Sequence, residues 1–297
     1  MLRLLIISMR PAQWTKNAFV FAALLFAHRL FDGRSALRSL AAFAIFCLLS
    51  SSVYLINDVC DREEDRRHPE KRKRPIASGA LPVRLVVPLI ALFAMCSLGA
   101  AYYLNTDLGG VVTGYFGLNL LYSLRLKHVV ILDVMIIGIG FVLRAVAGAV
   151  VIGVIFSNWL LLCTFLLALF LGFCKRRHEL VLLSDNAAAH RKILSEYSVE
   201  FLDTIIVVVT ASTIAAYAIY TMSEETVRKF QTRDLMYTIV FVIYGMFRYL
   251  YLIHRRQEGG NPSRVLLTDL PLQVAILLWT LTATVIIYQS GFVMMGR

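Results

Sequence analysis

Residues 37–69 read LRSLAAFAIFCLLSSSVYLIN followed by DVCDREEDRRHP, an apolar run broken only by Arg38 and then a dense charged stretch. About twenty apolar residues in helical form cross the hydrocarbon core of a bilayer. The run has that length, and its polar end comes abruptly, as at a membrane surface. Working outward, similar apolar blocks recur near 17–30, 84–103, 107–123, 129–153, 158–174, 202–222, 235–253 and 270–290. The composition agrees, with 59% hydrophobic and only 16% charged residues, against about 45–50% and 25% in soluble domains. None of the blocks alternates polar with apolar as a membrane barrel requires. The sequence therefore predicts an all-α membrane protein of about nine transmembrane helices, a single domain over 1–297 with no linker or low-complexity tract.

Most of the thirty lysines and arginines fall in 1–16, 58–84, 124–128, 175–200 and 248–264. The positive-inside rule then places the N-terminus and these loops in the cytoplasm and, for an odd number of spans, the C-terminus outside. In a bacterium the host membrane is the inner (plasma) membrane. The segment before the first block lacks the small-residue cleavage site of a secretory leader and reads as retained structure. The net charge of +11 is assigned to topology and anionic ligands, not to nucleic acid, because no soluble basic domain exists to bind it. Of the five cysteines, Cys60 adjoins the acidic stretch. Cys47, Cys96, Cys163 and Cys174 lie in apolar runs and read as small buried thiols, without metal-ligand spacing or disulfides. Oligomeric state is left open, a homo-oligomer being compatible with the sequence.

Three cytoplasmic loops, near 57–84, 123–133 and 173–200, concentrate the chemistry. If the helix runs on past the membrane surface, Asp58, Asp61 and Asp65 share one face, with Asn57 bordering it. Stacked carboxylates repel one another unless a cation lies among them, and hard oxygen ligands on an incomplete site suit Mg²⁺ completed by substrate phosphate. The competing reading is a solvated helix end with intrahelical pairs to Arg62, Arg66 and Arg67. The cations that follow, Lys71, Arg72, Lys73 and Arg74, favour the first reading, because metal and basic side chains together neutralise a diphosphate.

The pattern Asn57-Asp58-x-x-Asp61-x-x-x-Asp65, then Lys71-Arg72-x-Arg74-Pro75-Ile76-Ala77-Ser78-Gly79, resembles the first signature of the UbiA-type intramembrane prenyltransferases. The resemblance implies a ring of helices around a central cavity, with Asn57, Asp58, Asp61 and Asp65 holding Mg²⁺ and diphosphate. Most such enzymes carry a second acidic motif after the sixth span. Here that position reads Lys175-Arg176-Arg177-His178-Glu179-Leu180. A basic second wall suits a ligand with more phosphate.

This departure, with Arg10-Pro-x-Gln13-Trp14-x-Lys16-Asn17, Tyr122-Ser-x-x-Leu126-Lys127, Leu143-Arg144-Ala-x-Ala147-Gly148 and Asn261-Pro262, is similar to one branch, the decaprenyl-phosphate phosphoribosyltransferases of cell-wall arabinan synthesis. By that resemblance, polyprenyl phosphate and 5-phosphoribosyl 1-diphosphate (phosphoribosyl diphosphate) are the substrates. Prenyl transfer from a diphosphate to an aromatic or other acceptor is the alternative.

Lys16, Lys127 and Tyr122 are expected to contact phosphate or ribose, and Lys175, Arg176 and His178 the donor's 5-phosphate. A plain Lys175–Glu179 salt bridge competes with that role. Arg144, a charge inside an apolar span, is expected to face the cavity and bind phosphate or pair with Asp133. Asp133 is otherwise a second-site carboxylate or a partner of Lys127. Gly138, Gly140 and Gly148 read as close packing, and His28, His68, His128, His190 and His254 as surface or interface residues.

Overall fold

A computed structural model of the chain describes residues 1–67, 69, 71–155, 157–182, 194, 196–256 and 262–295. His68, His190, Asn261 and much of the 173–200 loop, read above, lie outside the described residues. Helix α1 (Leu2–Met9) is followed by an eleven-residue 3-10 helix, Pro11–Phe21, and by α2 (Ala22–Phe26). Then come α3 (Gly33–Cys60), α4 (Arg62–Arg67), α5 (Val83–Leu104), α6 (Thr106–Leu124), α7 (Leu132–Val151) and α8 (Asn158–Leu182). The chain ends with α9 (Val199–Met222), α10 (Glu224–Phe230), α11 (Ile239–Arg256), α12 (Pro262–Thr268) and α13 (Leu270–Met295).

Seven segments are helical, long and apolar enough to cross a bilayer: Gly33–Cys60, Val83–Leu104, Leu132–Val151, Asn158–Leu182, Val199–Met222, Asp234–Arg255 and Leu270–Gln289. This is a multi-pass membrane protein. The other two expected spans differ in kind. α6 has the length but carries Thr106, Asp107 and Asn119. The first block is mostly 3-10 helix, begun by Pro11 after a left-handed Arg10 at φ 54°. A 3-10 helix rises about 2.0 Å per residue, so residues 11–26 reach about 30 Å, roughly what an α-helix needs twenty residues to span.

That segment descends along α3: Trp14 Nε1 donates to Ser51 Oγ, Asn17 Nδ2 to Ser50 Oγ, and the Phe21 ring meets Phe43. On its other side it lies against α7 so closely that a Cβ on Gly148 would come within 2.0 Å of the Val20 carbonyl oxygen. Gly148 is thus a packing glycine, as the sequence suggests. Gly138, facing Phe165, is another.

Helices consecutive in sequence pack side by side, from α3 and α5 through α6, α7, α8, α9 and α11 to α13. The series closes on its beginning. The Leu30 N–H donates to Tyr288 Oη on α13, Phe26 packs against Trp279, and α12 lies beside the 3-10 segment. Buried apolar side chains fill both halves, around Phe46, Leu108 and Val112 on one side and Phe170, Leu202 and Leu252 on the other. Lipid-facing side chains such as Leu92 and Val207 remain exposed, as the apolar solvent permits. Cys47, Cys163 and Cys174 are buried; Cys96, expected to be buried, is exposed on α5.

Candidate active site

α3 stops at Cys60, Asp61 caps it with its N–H on the Asn57 carbonyl, and α4 restarts with the Asp65 N–H on the Asp61 carbonyl. The helix is interrupted by one residue, and this sorts the three carboxylates. Asp58 and Asp65 turn inward, 2% and 3% exposed, and Arg74 Nη1 bridges them at 3.1 and 2.6 Å. Arg10 also donates to Asp58. Asp61 turns instead to Lys127, beyond α6. Asn57 Oδ1 accepts from Ser123 Oγ, tying α3 to the end of α6. Burial pushes the Asp65 carboxyl above the usual carboxylate range against the opposing pull of Arg74 and Lys71.

Arg74 is aimed by its own loop. Ile76, Ala77 and Leu81 are buried beside Leu55 and Val86. Gly79 turns the chain at φ 82°, a conformation that costs glycine little. Arg66 Nε fixes the Ala77 carbonyl at 2.9 Å. The apolar plug therefore holds the preceding cation over the acids. Arg10, Asn57, Asp61, Glu64, Asp65, Lys71, Arg74, Tyr122, Lys127, His128, Lys175 and Glu179 line one pocket. Among the described residues no three His, Cys, Asp or Glu side chains close on one point as a complete metal cage. Asp61 and Asp65, with Asp58 behind them, offer the hard oxygen donors that suit Mg²⁺, which keeps waters and takes the rest of its shell from phosphate; the Arg74 guanidinium now holds the cationic position between Asp58 and Asp65.

The expected basic wall divides. Lys175 lines the pocket, 3.7 Å from Glu179, the salt bridge its helical spacing allows. Arg176, expected at the 5-phosphate, faces two carboxylates instead and does not line the pocket. It is 2% exposed, its Nε donates to Asp133 at 2.6 Å and its Nη1 to Glu179 at 2.7 Å. Tyr197 completes that network, donating to Asp133 at 2.9 Å and accepting from the Ile131 N–H at 2.7 Å. Burial and the adjacent carboxylate raise the Tyr197 phenol to about 12, so it remains a donor. Asp133 is thus the partner of Arg176, not of Arg144 or Lys127.

Arg144 is buried but donates to Asn17 Oδ1 at 2.7 Å, the Gly140 carbonyl at 2.8 Å and Tyr115 Oη at 2.6 Å. Lys16 is half-buried on the 3-10 segment, and neither it nor Arg144 lines the pocket. Arg72 is exposed outside the lining, whereas Lys71 and Arg74 on either side of it line the pocket. His178 is half-buried and also outside it. His128, read from sequence as a surface residue, lines the pocket, as does Glu64. Their signal is adjacency to Lys127 and Asp65.

Residues 17–268 match the model of the UbiA prenyltransferase family. A decaprenyl-phosphate phosphoribosyltransferase of Mycolicibacterium smegmatis is 34% identical over 295 residues, covering 96% of this chain and 93% of that protein. One from Corynebacterium glutamicum is 33% identical over 291 residues, covering 95% and 86%. Among solved structures, a UbiA homolog from Archaeoglobus fulgidus bound to GPP and Mg²⁺ superposes with a TM-score of 0.73 at 18% identity, covering 96% of this chain and 99% of that one. That likeness concerns the fold. With the family model spanning most of the sequence and relatives aligned along nearly all of it, the chain belongs to the UbiA prenyltransferase family.

Proposed function

We propose that this protein transfers the 5-phosphoribosyl group of 5-phosphoribosyl 1-diphosphate to a polyprenyl (decaprenyl) phosphate, releasing pyrophosphate, at the cytoplasmic face of a bacterial inner membrane. The observation that carries this reading is the pocket's asymmetry. One wall presents Asp61, Glu64 and Asp65, with Asp58 buried behind them, while Lys175, beside Glu179, stands on α8 where a second acidic motif is usual in the family. One acidic wall suits one metal-chelated diphosphate, and cations opposite suit a further phosphate. The names of the aligned relatives support the same substrates. We also infer about nine crossings, counting residues 11–26 and α6, with the N-terminus inside and the C-terminus outside.

In this reading Asp58, Asp61 and Asp65 hold the donor's diphosphate through Mg²⁺, which supplies charge neutralisation for the leaving group. Arg10, Arg74, Lys71 and Lys127 take the remaining diphosphate oxygens, each through charge-assisted hydrogen bonds. Lys175 receives the 5-phosphate, and Tyr122 orients the ribose. An oxygen of the lipid phosphate attacks ribose C1 as the C1–O bond to diphosphate breaks. A phosphate monoester is already anionic at neutral pH, so no strong base is required. The chain's contribution is positioning and a fixed field of cations around the departing charge.

The test follows the label. With ³²P in polyprenyl phosphate, the label is expected in an extractable lipid that also carries ribose. Label released to water, or product formed only with an aromatic acceptor, would establish prenyl transfer instead.

A further inference from the structure

The Arg10–Asn17 segment and α7 build a second cationic cluster, below the pocket already described. Its depth can be read from α3. Asn17 bonds Cys47 Sγ and Ser50 Oγ, which precede Asp58 by eleven and eight residues, or about 16 and 12 Å at 1.5 Å per residue. α7 gives an independent measure. Arg144, which donates to Asn17, follows Asp133 by eleven residues, again about 16 Å from the cytoplasmic end of its helix. The surroundings at that level are apolar and aromatic. The Arg144 guanidinium lies 4.7 Å from the Tyr115 ring and 5.3 Å from Phe141, and Phe19 packs on Phe141.

Among the described residues, no carboxylate is ion-paired with Arg144 or Lys16 at this depth. Arg144 donates to three neutral acceptors: an amide oxygen, a carbonyl and a phenol. Lys16, one residue from Asn17, lies within the field of Arg144 and Arg10, and among the described residues it forms no ion pair with a carboxylate. Arg10 lies 5.0 Å over the ring of Tyr54, one turn below Asp58 on α3. Asp58, the nearest acid above, is engaged by Arg10 and Arg74. A cation inside a span is costly and marks a ligand path when no acid pairs with it. An anion that descends this far from the cytoplasmic loops needs an apolar tail to bring it there, which a free ribosyl diphosphate lacks.

We propose that Lys16 and Arg144, with Tyr54 beneath Arg10, bind the phosphate of the polyprenyl phosphate acceptor on the membrane side of the carboxylates that hold the donor. The inference rests on the phosphoribosyl-transfer reading for the identity of the lipid. It separates two phosphate subsites: donor phosphates meet Lys71, Arg74, Lys127 and Lys175, and the acceptor phosphate meets Lys16 and Arg144. Arg10, touching both Asp58 and Tyr54, stands between them.

The test is equilibrium binding to the purified full-length protein in nanodiscs, without donor or metal, using decaprenyl phosphate, decaprenol and inorganic phosphate as probes. Lys16→Met keeps the length of the side chain and removes its charge. It is expected to weaken decaprenyl phosphate binding tenfold or more, leave decaprenol binding unchanged, and leave Mg²⁺-phosphoribosyl diphosphate binding within twofold. Lys16→Arg should retain most of the affinity. Arg144→Gln, checked for folding by size-exclusion chromatography, should follow Lys16→Met. Wild-type decaprenyl phosphate affinity in Lys16→Met, a selective loss of the ribosyl donor, or inorganic phosphate binding as tightly as the lipid would each overturn the assignment. Failure of the functional reading looks different: the wild type would bind decaprenyl phosphate in a Lys16-dependent way yet form no ribosylated lipid.

Discussion

Replacing Arg176 by methionine should destabilise the junction of α7 and α8 well before it alters donor binding. Arg176 is 2% exposed and Asp133 fully buried, joined at 2.6 Å. Taking away the guanidinium leaves Asp133, among the described residues, with the Tyr197 hydroxyl alone, and Glu179 without its 2.7 Å bond. Removing one partner of a buried ion pair costs about 3–5 kcal/mol, because the other charge stays out of water unpaired. At roughly 2–4 °C per kcal/mol for a chain of a few hundred residues, Tm should fall by about 6–20 °C. The assay is thermal unfolding in detergent, followed by tryptophan fluorescence, alongside the donor KM at low temperature. Arg176→Met/Asp133→Leu should recover much of the loss, since an apolar pair of similar volume carries no orphaned charge. An Arg176→Met protein that melts as the wild type does but has a strongly raised donor KM would refute the reasoning and return Arg176 to the substrate.

Lys175→Ala, by contrast, should fold normally and raise the donor KM about tenfold, the loss of one charge-assisted hydrogen bond, with the lipid KM nearly unchanged; an unchanged donor KM would remove Lys175 from the site. Asp65→Asn should abolish most transfer and weaken Mn²⁺ binding measured by electron paramagnetic resonance in the presence of pyrophosphate, as should excess chelator for the wild type. Full activity in either case would exclude the metal assignment. Gly148→Ala places a methyl 2.0 Å from the Val20 carbonyl. Because that contact is backbone, it should cost about 1–3 kcal/mol as overpacking, read as a lowered Tm with a normal donor KM.

The properties set by nearest neighbours along the chain could be read from the sequence alone. Apolar run length depends only on bilayer thickness, so most spans and the membrane environment followed from composition. The Asn57–Gly79 signature was equally local: its acids, its cations and the turn at Gly79 lie within one stretch, and that stretch became the pocket wall.

What depended on helix rotation or on partners far along the chain was decided only by the tertiary structure. Lys175 and Arg176 are adjacent and chemically alike, yet about 100° of helix separates their directions. One faces the pocket and the other an aspartate 43 residues away. Arg144 took Asn17, 127 residues distant, over the Asp133 on its own helix, because eleven residues of α-helix hold those two side chains about 16 Å apart. The 3-10 form of residues 11–21 was likewise hidden: its residues suit either helix, and the close backbone contact with Gly148 exists only after α7 has packed beside it.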